Sequence, residues 1–154
     1  MFDINGPKEL FDVIERRYTQ YRQSTEKATD DILAITIFVN HLREWIAPEY
    51  SPTYNKTRCW KWPPARNEAE QFSRQVFEHP SFNVVRQLCN GTKHAKRAPS
   101  TDTQHEEDVL KWQNFLSVRD VCKGPPTAHF VDGQRIESCI DPVMELYRAW
   151  FATH

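Results

Sequence analysis

The sequence predicts a mainly all-α fold in a single domain, a helical bundle of about five helices with one small β-hairpin before the C-terminal helix. Three observations carry that prediction. Apolar residues recur at helical spacing along several long stretches. Pro, Gly and Asn/Asp clusters punctuate those stretches where a helix has to stop or start. One Asp132-Gly133 dipeptide stands between two short β-prone runs, the composition of a two-residue type I′ turn.

A chain of 154 residues is long enough for one domain with a real core, taken here as 1–154. Hydrophobic residues make up 39%, and the five Trp, five Tyr and nine Phe offset a modest aliphatic count. The formal net charge of -1 gives no global argument for nucleic-acid binding. Any such argument has to be local, and Lys93, Lys96 and Arg97 are the densest basic cluster. Cys59, Cys89, Cys122 and Cys139 form no CxxC knuckle, and the polar start MFDINGPKEL reads as a helix start rather than a leader. The expectation is a cytoplasmic protein with reduced thiols. No apolar run approaches the roughly 18 residues of a membrane span, so no membrane partner is expected.

In order along the chain, Asn5-Gly6-Pro7 opens a helix over 7–24, with Asn5 as cap and Leu10, Phe11, Val13, Ile14, Arg17, Tyr18 and Tyr21 following at mainly helical spacing. Thr29-Asp30-Asp31 offers a cap and two acids to the next helix, over 30–47 and ending before Pro48. Ile32, Leu33, Ile35, Phe38, Val39, Leu42, Trp45 and Ile46 cover more than half its circumference, which marks the most buried helix. Phe38 is accordingly expected in the core, where truncation to Ala costs about 3–5 kcal/mol. His41 within that helix reads as a satisfied core or boundary histidine. The 47–65 stretch, with four prolines among Tyr50, Tyr54, Trp60 and Trp62, is a long connection packed on the body by its aromatics. Arg58-Cys59-Trp60-Lys61-Trp62 is also a mix that can stack on bases, although rings that merely pin the loop account for it more simply.

A third helix covers 67–78 with Ala69, Phe72, Val76 and Phe77 inward, and His79-Pro80-Ser81 breaks it. The fourth runs over 81–93 with Ser81 as cap, and Gly91 can bend it or end it one turn early. The 98–107 stretch is a polar loop. Val109–Val118 fits a helix or an irregular segment ending in a strand. Thr127–Val131 and Gln134–Ser138 form the hairpin, and Asp141-Pro142 starts the last helix, which carries Val143, Met144, Leu146, Tyr147, Trp150 and Phe151.

No phosphate loop, nucleophile elbow, HExxH or EF-hand pattern occurs. Asp30, Asp31 and Glu44 read as helix-end and surface acids rather than metal ligands, so neither metal nor cofactor is expected. Cys89 reads as a small core residue, and His105 and His154 carry no signal. What remains is the helix over 81–93. On a 100° wheel Val84, Val85, Leu88 and Cys89 share one side, and Arg86, Asn90, Lys93 and His94 gather on the other. Such stripes are often no more than a solvated face. Two features ask for more: Asn90 is a weak helix former, and His94 is an acid/base group near neutral pH with a cation and an amide in reach.

The segment Arg86-Gln87-Leu88-Cys89-Asn90-Gly91-Thr92-Lys93-His94 resembles an R-(D/Q)-x-x-N-x-x-K-H signature of small prokaryotic and phage-type helical proteins. It also resembles a variant of the HEPN motif, Arg followed after four to six residues by His; here seven residues intervene. The resemblance implies a helical bundle, often a homodimer, with metal-independent ribonuclease activity in toxin–antitoxin or anti-phage defence. It implies Arg86 and His94 as the catalytic pair on an RNA phosphodiester. Asn90, Lys93, Lys96 and Arg97 would be contact residues for RNA or a partner. The second reading is a non-catalytic helical subunit of a larger defence or phage assembly.

Overall fold

The computed structural model describes residues 4–54, 60–94, 115–119 and 126–154, with the side chains of 91–94, 115–119 and 126–127 left outside that description. The described chain is mainly helical. Five helices, α1 (Pro7–Gln23), α2 (Thr29–Ile46), α3 (Glu68–Glu78), α4 (Pro80–His94) and α5 (Glu137–Phe151), carry the body. Strands β1 (Thr53–Tyr54) and β2 (Trp60–Lys61) make an antiparallel ribbon, and β3 (Phe115–Arg119), β4 (Pro126–Val131) and β5 (Gln134–Arg135) make an antiparallel meander in that order.

The central place of α2 follows from its sequence. Ile32, Ile35, Val39, Leu42 and Ile46 recur three to four residues apart and are buried, and α2 packs against α1, α3, α4 and α5. Facing them are Ile14 and Tyr18 of α1, Val76 of α3, Phe82, Val85 and Leu88 of α4, and Ile140, Met144 and Tyr147 of α5. Tyr147 is fully enclosed, and its phenol donates to the Val39 carbonyl at 3.1 Å, which satisfies the one polar atom that its burial strands. Phe38 does not join them. It lies about 100° round the helix from Val39 and is 36% exposed, as Trp45 is 42% exposed, so the expectation of a core Phe38 is corrected. The apolar arc of α2 is wider than the surface its neighbours cover.

Several helix ends differ from the sequence reading, each because another group takes the capping role. At α1 the N-cap is Gly6, and Glu9 accepts the Asn5 N–H at 2.7 Å; Asn5 is not the cap. At α2 the N-cap is Ala28 without a side-chain bond, and Thr29 is turned to His129 instead. At α4, Pro80 is already helical and the Ser81 N–H donates to His79 Nδ1 at 3.2 Å, so His79 takes the role expected of Ser81. Gly91 does not end α4, which runs to His94. The last helix starts at Glu137 and carries Pro142 inside its second turn, leaving β5 only Gln134–Arg135. Asp141 is engaged by α1 rather than capping. The Asp132-Gly133 turn is as expected: φ is +50° and +76° there, the left-handed pair that a type I′ turn requires. The hairpin gains a third strand, since Phe115–Arg119 pairs with Pro126–Val131, and the 47–65 connection contains a ribbon. The 98–107 loop, residues 109–114, Cys59, Cys122 and His105 lie outside the described residues.

Candidate nucleic-acid interface

The corner between α3 and α4 supports the candidate site. Asn67 caps α3 by accepting the Glu70 N–H at 2.9 Å. Helix α3 ends at Glu78 with His79 as its C-cap, and α4 begins at Pro80, so Phe77, Glu78, Asn83 and Arg86 come to one side of the corner. The ribbon closes over them. Its register sets Thr53 opposite Lys61 and Tyr54 opposite Trp60. Trp60 and Trp62 both stand edge-on to Phe77, at 5.3 and 5.1 Å between centroids. Tyr50 stacks on Trp62 at 5.1 Å and donates its phenol proton to the Pro63 carbonyl at 3.0 Å.

Beneath lies Arg43, buried on α2. It donates to the Tyr50 carbonyl at 3.2 Å and to Ser73 Oγ at 3.1 Å, and its guanidinium is 5.4 Å from the Phe77 ring. Burial pulls its pKa down, yet a guanidinium keeps its charge. One cation thus ties α2, α3 and the start of the ribbon together under the aromatic cluster.

Arg86 emerges on the open side. Its Nη2 donates to Asn83 Oδ1 at 2.7 Å, and its guanidinium lies 5.4 Å from both the Trp60 and the Phe77 rings. This half-buried arginine is therefore oriented against the ribbon rather than waving from a solvated helix face. Trp60, Lys61, Trp62, Arg74, Phe77, Glu78, Pro80, Asn83 and Arg86 line a groove of about 560 Å³. Its cations are Lys61, Arg74 and Arg86. Its one carboxylate, Glu78, is paired with Arg74 at 2.8 Å. Rings for bases beside cations for phosphates are what single-stranded nucleic-acid surfaces combine.

Of the residues expected at the site, Arg86 lines this groove. Asn90 is half-buried one turn further along α4. Lys93 and His94 occupy the last turn of α4, with side chains outside the description, and Lys96 and Arg97 lie outside the described residues. An unbroken helix sets residues 86 and 94 about 12 Å apart along its axis. Arg74 was not anticipated, nor was the contact between Arg86 and Trp60. The signal for the latter was present in the Arg58–Trp62 mix, of which Trp62 pins the ribbon while Trp60 is offered to solvent at 38% exposure.

Two further clusters join residues that the sequence left apart. His41 Nδ1 is 2.8 Å from Glu44 Oε2, and the Cys89 thiol of α4 hydrogen-bonds the same ring; together Cys89 and Glu44 push the His41 pKa up to about 9. Asp31 pairs with Arg17 at 3.7 Å, and Glu44 also meets Arg43 at 3.5 Å, so two of the three acids Asp30, Asp31 and Glu44 have cationic partners. His154, expected to carry no signal, stacks on Trp150 at 3.6 Å.

The second cluster is a buried knot between α1, the start of α2, β4 and α5. His129 is fully enclosed, bonded to the Tyr21 phenol at 2.8 Å and to Thr29 Oγ1 at 3.1 Å. Lys27 donates to the Tyr21 and Arg22 carbonyls and lies 4.6 Å over the Tyr21 ring. Tyr18 donates to Asp141 Oδ1 at 2.8 Å, and Arg22 reaches the same carboxylate at 3.0 Å. Burial lowers the pKa of His129 and of Lys27, against an opposing pull from the Glu137 carboxylate. No helix among the described residues is long and apolar enough to cross a membrane. No protein-family model, no curated protein and no solved structure matches the chain.

Proposed function

We propose that this protein binds single-stranded RNA along the groove between the ribbon and the α3–α4 corner, with Arg86 at its centre. One observation carries the reading: Arg86 is held in a fixed orientation against Trp60 and Phe77, in a groove with two further cations and one already paired carboxylate. A preoriented cation loses less freedom on meeting a phosphate. The partly exposed Trp60 and Tyr54 rings, edge-to-face at 4.8 Å, leave aromatic surface that unpaired bases can meet and the bases of a closed duplex cannot. The resemblance to the HEPN signature supports the same polymer, and on that resemblance the proposal extends to a role in a toxin or anti-phage system.

Binding, rather than cleavage by one chain, is the activity proposed. With α4 continuous through Gly91, residues 86 and 94 stand about 12 Å apart along one helix, too far to grip a single phosphate, so a cleaving site would need a second copy of the chain. The test measures fluorescence anisotropy of a labelled single-stranded RNA and its duplex, with cleavage followed in excess chelator. The expected result is salt-sensitive binding of the single strand, lost on combining Arg86→Ala with Trp60→Ala. Equal binding by wild type and this double variant would overturn the reading. A chelator-resistant cut that His94→Ala abolishes, from a protein that sizes as a dimer, would extend it to the ribonuclease. A non-catalytic assembly subunit is the second reading, favoured by the exposed Phe38 and Trp45 on α2.

A further inference from the structure

The groove is the size of one nucleotide rather than of a helix of RNA. Its 560 Å³ falls within the range of small-ligand pockets, about 300–1,000 Å³. Its walls are unequal in a way that assigns parts of a nucleotide to them. Trp60 and Trp62 stand two apart, so along an extended chain they leave the backbone on the same side, about 6.6 Å from one another. Their common edge-on contact with Phe77 agrees with that placement. Trp62 is braced from behind by Tyr50, whereas Trp60 keeps exposed ring surface at the mouth. Lys61, Arg74 and Arg86 line the same space. A planar base on Trp60 would therefore have cations within one nucleotide's reach.

We infer that the groove is a mononucleotide site: it takes one unpaired nucleotide, the base stacked on the exposed surface of Trp60 and the phosphate held by Arg74 and Arg86. The inference rests on the RNA-binding reading and deepens it, because the affinity of a longer strand then comes mainly from this one captured unit. Both halves of the nucleotide are needed, since neither an isolated ring nor an isolated anion uses the whole lining. Purines bind better than pyrimidines, having the larger face to stack.

The experiment is calorimetric titration of the full chain with AMP, UMP, adenosine and inorganic phosphate, followed by a single-stranded RNA of about ten nucleotides. AMP is expected to bind at least tenfold more tightly than adenosine or phosphate, and more tightly than UMP. Trp60→Ala should weaken AMP about 5- to 150-fold, and Trp60→Phe by less, while circular dichroism stays unchanged. Arg74→Gln should bring AMP down toward adenosine. Phosphate binding as tightly as AMP, or AMP binding unaltered by Trp60→Ala, overturns the inference. If the RNA still binds, is unchanged by Trp60→Ala and is weakened by Arg86→Ala, the nucleotide site fails while the RNA reading stands on the groove's cations. If neither AMP nor RNA binds, both fail.

Discussion

The groove around Trp60 and the knot around His129 are built from the same kinds of group, aromatic rings and ionisable side chains, yet they use them in opposite ways. In the knot most of the polar side chains answer one another within the chain: the Tyr21 phenol and His129, His129 and Thr29, and the Tyr18 phenol and Arg22 with Asp141. Such a closed set holds elements together, here the β4 strand and α5 against α1. In the groove the cations outnumber the acids, the rings are partly bare, and the polar lining opens to solvent. Mutual satisfaction marks a structural cluster; a surplus of one sign beside exposed rings marks a surface with something left to bind. The groove is lined from β2, α3 and α4 and the knot is built from α1, the start of α2, β4 and α5, so each can be perturbed without touching the other.

The largest expected effect breaks the knot. His129→Ala removes two hydrogen bonds, strands the Tyr21 phenol and opens a cavity, at a cost of about 2–4 kcal/mol. Urea unfolding should show that loss while RNA affinity, measured under conditions where the variant is folded, stays at the wild-type value. Arg86→Ala is the converse. It should weaken RNA roughly tenfold and lower the slope of log affinity against log salt by about 1, with a stability change below about 1 kcal/mol. A large loss of stability in Arg86→Ala, with no loss of binding, would make the groove a second structural cluster.

Acid sharpens the comparison further. Around His129 stand Tyr21 of α1, Lys27 of the α1–α2 connection, Thr29 of α2 and Glu137 of α5, with Arg135 of β5 acting on Tyr21 and Lys27. Its folded pKa is lowered, so the unfolded chain takes up the proton more readily. Stability is then complete above the unfolded value of about 6.5 and is lost as pH falls below it. His41 has the opposite sign. Its pKa is raised to about 9 by Cys89 and Glu44, so its contribution is present below about 6.5 and disappears as pH rises through 9. Unfolding midpoints across pH 5–10 should therefore fall at both ends. His129→Gln should flatten the acid side only, and Glu44→Gln should reduce the alkaline decline only. The smallest effect is on the bare face of α2: Phe38→Ala should cost less than about 1 kcal/mol, because a ring 36% exposed leaves little cavity behind. A loss of 3 kcal/mol in the isolated chain would put Phe38 back in the core.

The fold class, the helix spans to within a residue or two at most ends, the central place of α2 and the Asp132-Gly133 turn were legible in the chain itself. Each depends on local periodicity or on the φ that one residue can adopt, and those are properties of short segments. The start of α5 was misread for the same reason. Asp141-Pro142 has the composition of a helix start, but a carboxylate bonded to Tyr18 and Arg22 of a distant helix is not available to cap, and sequence spacing cannot say so. The identity of the site divides likewise. Arg86 stood out as a cation on a polar helical stripe; that its guanidinium meets Trp60, a residue 26 positions earlier and from a stretch without periodicity, was decided only when the ribbon folded over Phe77. His129, a lone histidine in a short strand, drew no notice until burial brought two hydroxyls to its ring. Side-chain chemistry and local backbone preference are written residue by residue. Which groups meet is set by packing between segments far apart in the chain, where the burial of apolar faces chooses the neighbours and the polar groups take the partners that result.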